Sequence, residues 1–486
     1  MQQMINGGTG PILAFTTVLY GMAESLDVPF LPFNAWTGLW CAFLLALGAF
    51  FDLNKMMDHL TRFTDEIFAL LIAFIFILDA IGNPLGSVGL YWYFTSGHKS
   101  HDEFENEPDY SVMATALLSL ILGLGTCGLA FFLRGLKTSP YFFNDRVRTN
   151  IYDFSVVISI VAFTMLKALV FDDIETETLN VPENFAPTFE CCDSTCHTSF
   201  PEDCPEQAEA WGRRPWLVDL FDLNGKAWIP IFAIVPAMLA FILIFLDDGI
   251  TWHLINHPSN KLSHGEAFNY DTVLIAIFIA VNSIIGFPWL VAATVQSIIH
   301  VHALAEFDDD RKIVSVHQTR LTHFFIHALM AGSIFILNTL KIIPVPVLYG
   351  VFLFMGLAAL STNQFWLRFT MMFMQPSKYP KTEAFAKYLK PSRIHCYTAI
   401  QVLLFISLMV FRSIKSVAIA FPIIIKACIP IRMYILPHLF SKEELILLDD
   451  KDEKIAEVVA SLEKEKAMDD MEGGDKSADE AFEEEG

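Results

Sequence analysis

Two adjacent carboxylates, Asp247 and Asp248, follow an apolar run that begins at Phe241 and is typical of a membrane-spanning helix. An ionisable residue at such a depth indicates a functional site. Thr251 follows Asp247 by four residues, so its hydroxyl shares a helical face with that carboxylate. Carboxylate, hydroxyl and carbonyl oxygens are hard ligands that suit a small cation. The sequence therefore predicts a cation site at Asp247 and Thr251, whereas Asp248 is expected only to mark the cytoplasmic end of the helix.

Glycine and proline interrupt two further apolar segments, at 7–11 (GGTGP) and 286–288 (GFP). A simple kink would give the same pattern, but a pair of short, broken segments also indicates a transporter site. Pro11 and Pro288 suit the first turn of a helix, where an N–H group has no partner to lose. Each half-helix would direct unpaired N–H groups and a positive end into a cavity, which suits an anion.

The elements that would position these residues are membrane-spanning helices. Hydrophobic residues make up 54% of the 486 residues and charged residues 18%, and the mean hydropathy is +0.46. Apolar stretches of about 20 residues, the length that spans a bilayer, lie at 34–53, 66–90, 111–133, 152–171, 227–251, 270–287, 321–340, 346–365, 396–412 and 417–436. We expect an all-α polytopic membrane protein that binds lipid and no nucleic acid. No nucleophile–base, phosphate-binding or metal-ligand motif indicates an enzyme, and no cofactor is expected.

Lysine and arginine are divided unequally between the loops, which predicts the orientation of the chain. The loops at 54–62, 134–149, 252–269, 305–320 and 366–395 contain 16 Lys and Arg, against 4 in those at 25–35, 91–110, 172–225 and 341–345. The first set is therefore expected in the cytoplasm. The segment 441–486 contains 18 of the 54 acidic residues. We expect a transmembrane transport domain over 1–440 and an acidic, partly disordered cytoplasmic tail over 441–486.

Four cysteines cluster in the outside loop 172–225, among acidic residues and prolines: Cys191, Cys192, Cys196 and Cys204. In an oxidising compartment this cluster predicts two disulfides. A zinc site is the alternative, although the spacing fits no common zinc pattern.

The chain resembles the bicarbonate transporters of solute carrier family four, which include anion exchangers and sodium–bicarbonate cotransporters. The resemblance rests on long motifs in the family's order: 61–68 (TRFTDEIF), 137–142 (KTSPYF), 241–251 (FILIFLDDGIT), 287–295 (FPWLVAATV), 343–356 (IPVPVLYGVFLFMG), 393–395 (RIH), 439–442 (LFSK) and 448–450 (LDD).

This resemblance implies fourteen segments in two inverted repeats of seven, divided into core and gate domains that move like an elevator. Substrate would lie between two half-helices, the third and tenth segments. The residues expected to bind substrate are Thr9, Gly10 and Pro11 on the first half-helix and Pro288, Ala293 and Thr294 on the second. Asp247 takes the place of the acidic residue on the family's eighth segment. Members are usually homodimers, so a homodimer is expected.

Two departures from the family pattern bear on function. The chain begins inside the third segment, so about twelve of fourteen segments are expected, with coding sequence upstream of Met1 supplying two more spans. Anion exchangers have an Arg where this chain has Gln296, and a later Lys position is Ser413, flanked by Arg412 and Lys415.

The charges favour sodium-coupled transport of bicarbonate or carbonate across the plasma membrane. Two helix ends offer roughly +0.5 each, and an ionised Asp247 cancels them. A sodium ion held by Asp247, Thr251 and Thr294 would restore attraction for the anion. Chloride–bicarbonate (or borate) exchange, with Arg412 or Lys415 replacing the lost Arg, is one alternative. A membrane scaffold or fragment without transport activity is another.

Overall fold

The computed structural model describes residues 4–53, 55, 61–82, 89–91, 93, 110–138, 141–181, 185, 187, 214–256, 260–262, 267–307, 313–380, 383–413, 428–449 and 454–464. The helices are α1 (Gly10–Ser25), α2 (Phe30–Phe50), α3 (Arg62–Ile81), α4 (Tyr110–Gly135), α5 (Asp145–Asp153), α6 (Ser155–Val170), α7 (Ile229–Phe232), α8 (Ile234–Ile255), α9 (Phe268–Ile285), α10 (Thr294–Ala303), α11 (Arg320–Gly332), α12 (Leu337–Leu340), α13 (Val345–Thr362), α14 (Gln364–Met371), α15 (Ala384–Tyr388), α16 (Pro391–Ser413), α17 (Leu436–Leu439) and α18 (Lys442–Asp449). The strands are β1 (Asn6–Gly7), β2 (Val291–Ala292), β3 (Ala305–Phe307) and β4 (Ile313–Val316).

Within the described residues, six helical segments are long and apolar enough to cross a membrane. Two bent pairs, α5 with α6 and α13 with α14, raise that number to as many as eight. This confirms the all-α, multi-pass architecture. Most of the expected span at 417–436 lies outside the described residues.

The helices pack in two groups. In the first, α2 lies against α8 and α9, and α8 contacts α1 and α10. In the second, α13 lies between α3 and α4, while α16 packs on α3 and α14. This division agrees with the core and gate domains that the resemblance implies. A polar contact joins the two groups, since His253 Nε2 on α8 is 3.3 Å from Asp65 Oδ2 on α3.

A glycine allows the close approach of α2 and α9 in the first group. A Cβ at Gly38 would lie 1.9 Å from the Ser283 hydroxyl oxygen, so a larger side chain would force the helices apart. The same hydroxyl accepts a hydrogen bond of 2.8 Å from the Trp289 indole, which is buried in the connection to β2. This packing fixes where β2 begins.

The second group contains a buried polar network, here named the arginine cluster, formed by Glu66, Arg368, Gln401, Arg432 and Asp449. Arg368 is fully buried, pairs with Glu66 and donates to the Gln401 amide oxygen at 3.0 Å. Gln401 in turn donates to Glu66 at 3.0 Å, and Arg432 pairs with Asp449. The carboxylates of this cluster are therefore compensated by guanidinium groups and an amide.

Helix α18 brings Asp449 to the arginine cluster, where its carboxylate accepts the backbone N–H of Phe63 in the first turn of α3. Leu445, Leu447 and Leu448 are buried on the same helix. The expected division of the chain after residue 440 stays a prediction, although α18 follows that position and packs with the second group. The segment 454–464 is also helical, and Glu463 pairs with Lys387 at 3.2 Å.

Candidate functional site between two half-helices

The site is built on a two-residue strand pair that joins distant parts of the sequence. Asn6 pairs with Ala292 and Gly7 with Val291 in antiparallel register. The chain leaves β1 towards α1 and leaves β2 towards α10, and it does so at opposite ends because the strands are antiparallel. Two half-helices therefore start beside one short sheet, which the sequence did not predict.

Helix α1 begins where the sequence places its glycine and proline. Thr9 is the N-cap in extended conformation, Pro11 occupies the first turn, and the Leu13 N–H bonds the Thr9 carbonyl at 3.1 Å. At the other end, Lys226 donates to the carbonyls of Leu26 and Asp27 at 2.8 Å each. Such a cation satisfies orphan carbonyls at a helix C-terminus, so the first half-helix is anchored at both ends.

Asp247 lies on α8 facing the start of α1. It is 5% exposed, and its Oδ2 accepts a hydrogen bond from the Thr9 hydroxyl at 3.1 Å. Within the described part of the chain this carboxylate forms no ion pair with a basic side chain. A buried carboxylate without a basic partner is costly unless a cation or proton compensates it.

Thr251 and Thr294 connect α8 to the start of α10. Their hydroxyl oxygens are 2.6 Å apart, and both residues are buried. Thr251 donates its hydrogen to the Asp247 carbonyl at 2.8 Å, so Thr294 is the donor between the two hydroxyls. The lone pairs of Thr294 stay available to a cation. We use the name cation site for Thr9, Asp247, Thr251 and Thr294 because the sequence predicts a cation there, and the binding of a cation stays a prediction.

The expectation for the position of Asp248 is wrong. Helix α8 continues two turns beyond it, to Ile255, and Asp248 is only 2% exposed. Its Oδ1 accepts the backbone N–H of Ala292 at 2.8 Å. The run of apolar residues ends at Asp247, but tertiary packing buries the polar continuation of the helix. No pattern in the sequence indicated this contact.

Among the residues expected to bind substrate, Pro288 is not in the first turn of the second half-helix. Helix α10 begins at Thr294, so Pro288 lies six residues earlier, exposed, in the connection from α9 to β2. The tight packing of that connection by Trp289 and the strand pairing delay the helix start. Ala293 immediately precedes α10, and its N–H donates to the Ile5 carbonyl at 2.7 Å. Gly10 and Pro11 open α1.

Sequence reasoning also missed Ser297, which holds α10 against the segment that precedes α1. Its hydroxyl accepts the N–H of Ile5 at 2.9 Å and donates to the Ala293 carbonyl at 2.7 Å. The i, i+3 spacing of Thr294 and Ser297 was the available signal, because hydroxyls at that spacing lie on neighbouring positions of a helix.

Several expected residues cannot be placed. Cys191, Cys192, Cys196 and Cys204 lie outside the described residues, as does Lys415. Arg412 and Ser413 are in α16, but their side chains are outside the described set. Gln296 is described, and it is an exposed, uncharged residue in the first turn of α10. The two disulfides and a replacement cation therefore stay predictions.

The fold and the site together define a multi-pass membrane protein with a buried carboxylate beside the starts of two half-helices. Residues 3–106 and 92–453 match the model of the bicarbonate transporter integral membrane domain. The chain belongs to this family, whose members are transporters. The resemblance stated from the sequence motifs is thereby confirmed.

The curated relatives include both functional branches of the family. The chain is 30% identical to anion exchange protein 2 of Mus musculus over 92% of this chain and 37% of that protein. It is 31% identical to electrogenic sodium bicarbonate cotransporter 1 of Oryctolagus cuniculus (92% and 44%) and to band 3 anion transport protein of Rattus norvegicus (93% and 47%). The chain thus spans less than half the length of these relatives. Among solved structures, the transmembrane domain of a cyanobacterium bicarbonate transporter, BicA, matches with a TM-score of 0.44 and 14% identity over 83% of both chains.

Proposed function

We propose that this chain is the transport domain of a sodium-coupled bicarbonate (or carbonate) transporter of the plasma membrane. The observation that carries the proposal is the state of Asp247, a buried carboxylate held only by hydroxyl contact from Thr9 and without a described basic partner. A sodium ion at this position would compensate the carboxylate and leave both half-helix ends to attract the anion.

The oxygen donors fit sodium by their chemistry. Asp247 supplies a carboxylate, and Thr294 supplies hydroxyl lone pairs close to Thr251. Sodium, like other hard cations, prefers such oxygen ligands. Bicarbonate would then bind between the starts of α1 and α10, where Gln296 offers no fixed charge. Anion affinity would therefore depend on the bound cation.

The two helix groups support an elevator-like movement of the core against the gate. The residues of the cation site all lie in the first group or in its half-helices, so the site would travel with that group as a unit. A cytoplasmic acidic tail and a homodimer belong to the same proposal.

Chloride–bicarbonate exchange is a second candidate, because mouse anion exchange protein 2 and rat band 3 match this chain as well as the cotransporter does. In that case Arg412 or Lys415 would supply the fixed positive charge that Gln296 lacks.

The deciding experiment is recovery of intracellular pH after an acid load, in bicarbonate buffer, in cells that express the chain. We expect recovery to stop when external sodium is replaced by N-methyl-D-glucamine and to persist after the cells are depleted of internal chloride. Recovery that ignores sodium and requires chloride on the opposite, internal side would establish the exchanger instead. A chain that reaches the surface yet moves no bicarbonate under either condition would be a scaffold.

A further inference from the structure

Asp248 is next to a cation-site ligand, but its own contact is with a different element. Its Oδ1 accepts the N–H of Ala292 at 2.8 Å, and Ala292 precedes Thr294 by two residues. Asp248 is only 2% exposed, so this hydrogen bond is shielded from solvent. Leaving such a buried N–H without its acceptor costs a factor of roughly five to a hundred in an equilibrium constant.

Hydrogen bonds to two different elements hold the start of α10. Two of them, Ala293 N–H to the Ile5 carbonyl and Ile5 N–H to the Ser297 hydroxyl, fasten it to the segment before α1. Two others, the bond between Thr294 and Thr251 and the bond from the Ala292 N–H to Asp248, fasten it to α8. Since α8 also carries Asp247, the Asp248 bond sets the backbone just before the second half-helix against the cation site.

The hydrogen bond to Ala292 requires an acceptor oxygen at residue 248, but not a negative charge. The carboxyl groups of Asp247 and Asp271 are close enough to interact electrostatically with that of Asp248, so a negative charge at this position gains no favourable partner from them. Its Oδ2 has no hydrogen-bond partner among the described residues. A single acceptor oxygen at the Oδ1 position is therefore sufficient, and an asparagine amide oxygen can occupy that position.

We propose that Asp248 is a positioning residue, which fixes the start of α10 so that Thr294 stays beside Thr251. This role depends on the proposed function in one respect, namely that Thr294 binds sodium. The contact itself is independent of the transported ion.

The test compares Asp248→Asn, which keeps the acceptor, with Asp248→Leu, which removes it at similar size. Hydrogen–deuterium exchange of the purified full chain would follow peptides covering 289–297. We expect exchange about tenfold or more faster in the Leu variant and unchanged in the Asn variant. Asn256→Leu, which removes a side-chain bond at the end of the same helix, should leave these peptides unchanged.

Transport supplies the second measurement. The apparent sodium KM should rise about tenfold in Asp248→Leu and stay within about twofold of the wild type in Asp248→Asn. An Asn variant with faster exchange at 289–297 or a raised sodium KM relative to the wild type would overturn the positioning role in favour of charge, whether or not the Leu variant folds. Wild-type transport without any sodium dependence would refute the proposed function instead, while exchange would still decide on the Asp248 contact.

Discussion

The cation site and the arginine cluster are both buried polar regions of one membrane protein. They differ in whether their carboxylates have basic partners. In the arginine cluster, Glu66 pairs with Arg368 and Asp449 with Arg432. In the cation site, the Asp247 carboxylate accepts a hydrogen bond from the Thr9 hydroxyl, and the described residues supply no basic partner.

This difference separates a structural network from a functional one on physical grounds. A compensated carboxylate has no affinity left for an external cation, and removing its partner leaves an unpaired buried charge. An uncompensated carboxylate is an incomplete site that a mobile ion can complete. A buried carboxylate can therefore stabilise the fold or bind an ion, depending on whether a basic side chain lies next to it.

The largest effect is expected for Asp247→Asn, which removes the charge while keeping the shape and a hydrogen-bond acceptor for Thr9. Sodium-dependent bicarbonate transport should fall to background, whereas surface expression should be nearly unchanged. Isotopic or pH-based flux, normalised to surface biotinylation, measures both. Residual transport above a tenth of the wild-type rate would show that Asp247 is no ligand of the coupling ion.

Arg368→Met should have the opposite outcome, which is a loss of folded protein and of surface expression. Breaking a buried pair leaves Glu66 uncompensated and costs about 3–5 kcal/mol, so little folded protein should reach the surface. The control is Lys387→Met, because Lys387 and Glu463 are about half exposed and such a pair is worth at most about 1 kcal/mol. Equal thermal stability of the two variants in detergent would contradict this account of the cluster.

Thr294→Val should have a smaller and more selective effect. It removes one hydroxyl ligand and the hydrogen bond to Thr251, and leaves the carboxylate in place. The apparent sodium affinity should weaken by about three- to tenfold, since one neutral hydrogen bond is worth about 1 kcal/mol. Sodium titrations of the initial transport rate measure it. A matching fall in maximal rate with unchanged sodium affinity would argue against ligation.

The smallest effect concerns pH and the arginine cluster. Burial raises the pKa of Asp449 to about 6, against the opposing influence of Arg432 and the Phe63 N–H. A raised pKa means that the folded state holds the proton more tightly, so this contribution to stability is lost as pH rises through about 6. Between pH 5.5 and 7.5 the loss should be about 1 kcal/mol.

Thermal unfolding of the purified chain at both pH values measures that loss. Asp449→Asn should remove this part of the pH dependence. An identical pH slope in wild type and variant would exclude Asp449 as its source.

Much of the fold follows from local sequence. Nearly every expected span that the structure describes is helical, because runs of about 20 apolar residues must satisfy their backbone groups internally in a membrane. The start of α1 was also predictable, since the order threonine, glycine, proline favours an N-cap followed by a first turn. The start of α10 was not, because its six-residue delay after Pro288 depends on Trp289 and on strand pairing with a segment almost 300 residues away.

The sequence by itself determined that the protein spans membranes, which family it resembles, and that Asp247 and Thr251 share a helical face. Those properties depend on composition and on spacing within one element. Only the tertiary structure decided that Thr9 reaches Asp247, that Thr294 meets Thr251, and that Asp248 holds Ala292. Each of these contacts joins residues at least 43 positions apart, and no local periodicity specifies which buried charge will find a partner and which will be left for an ion.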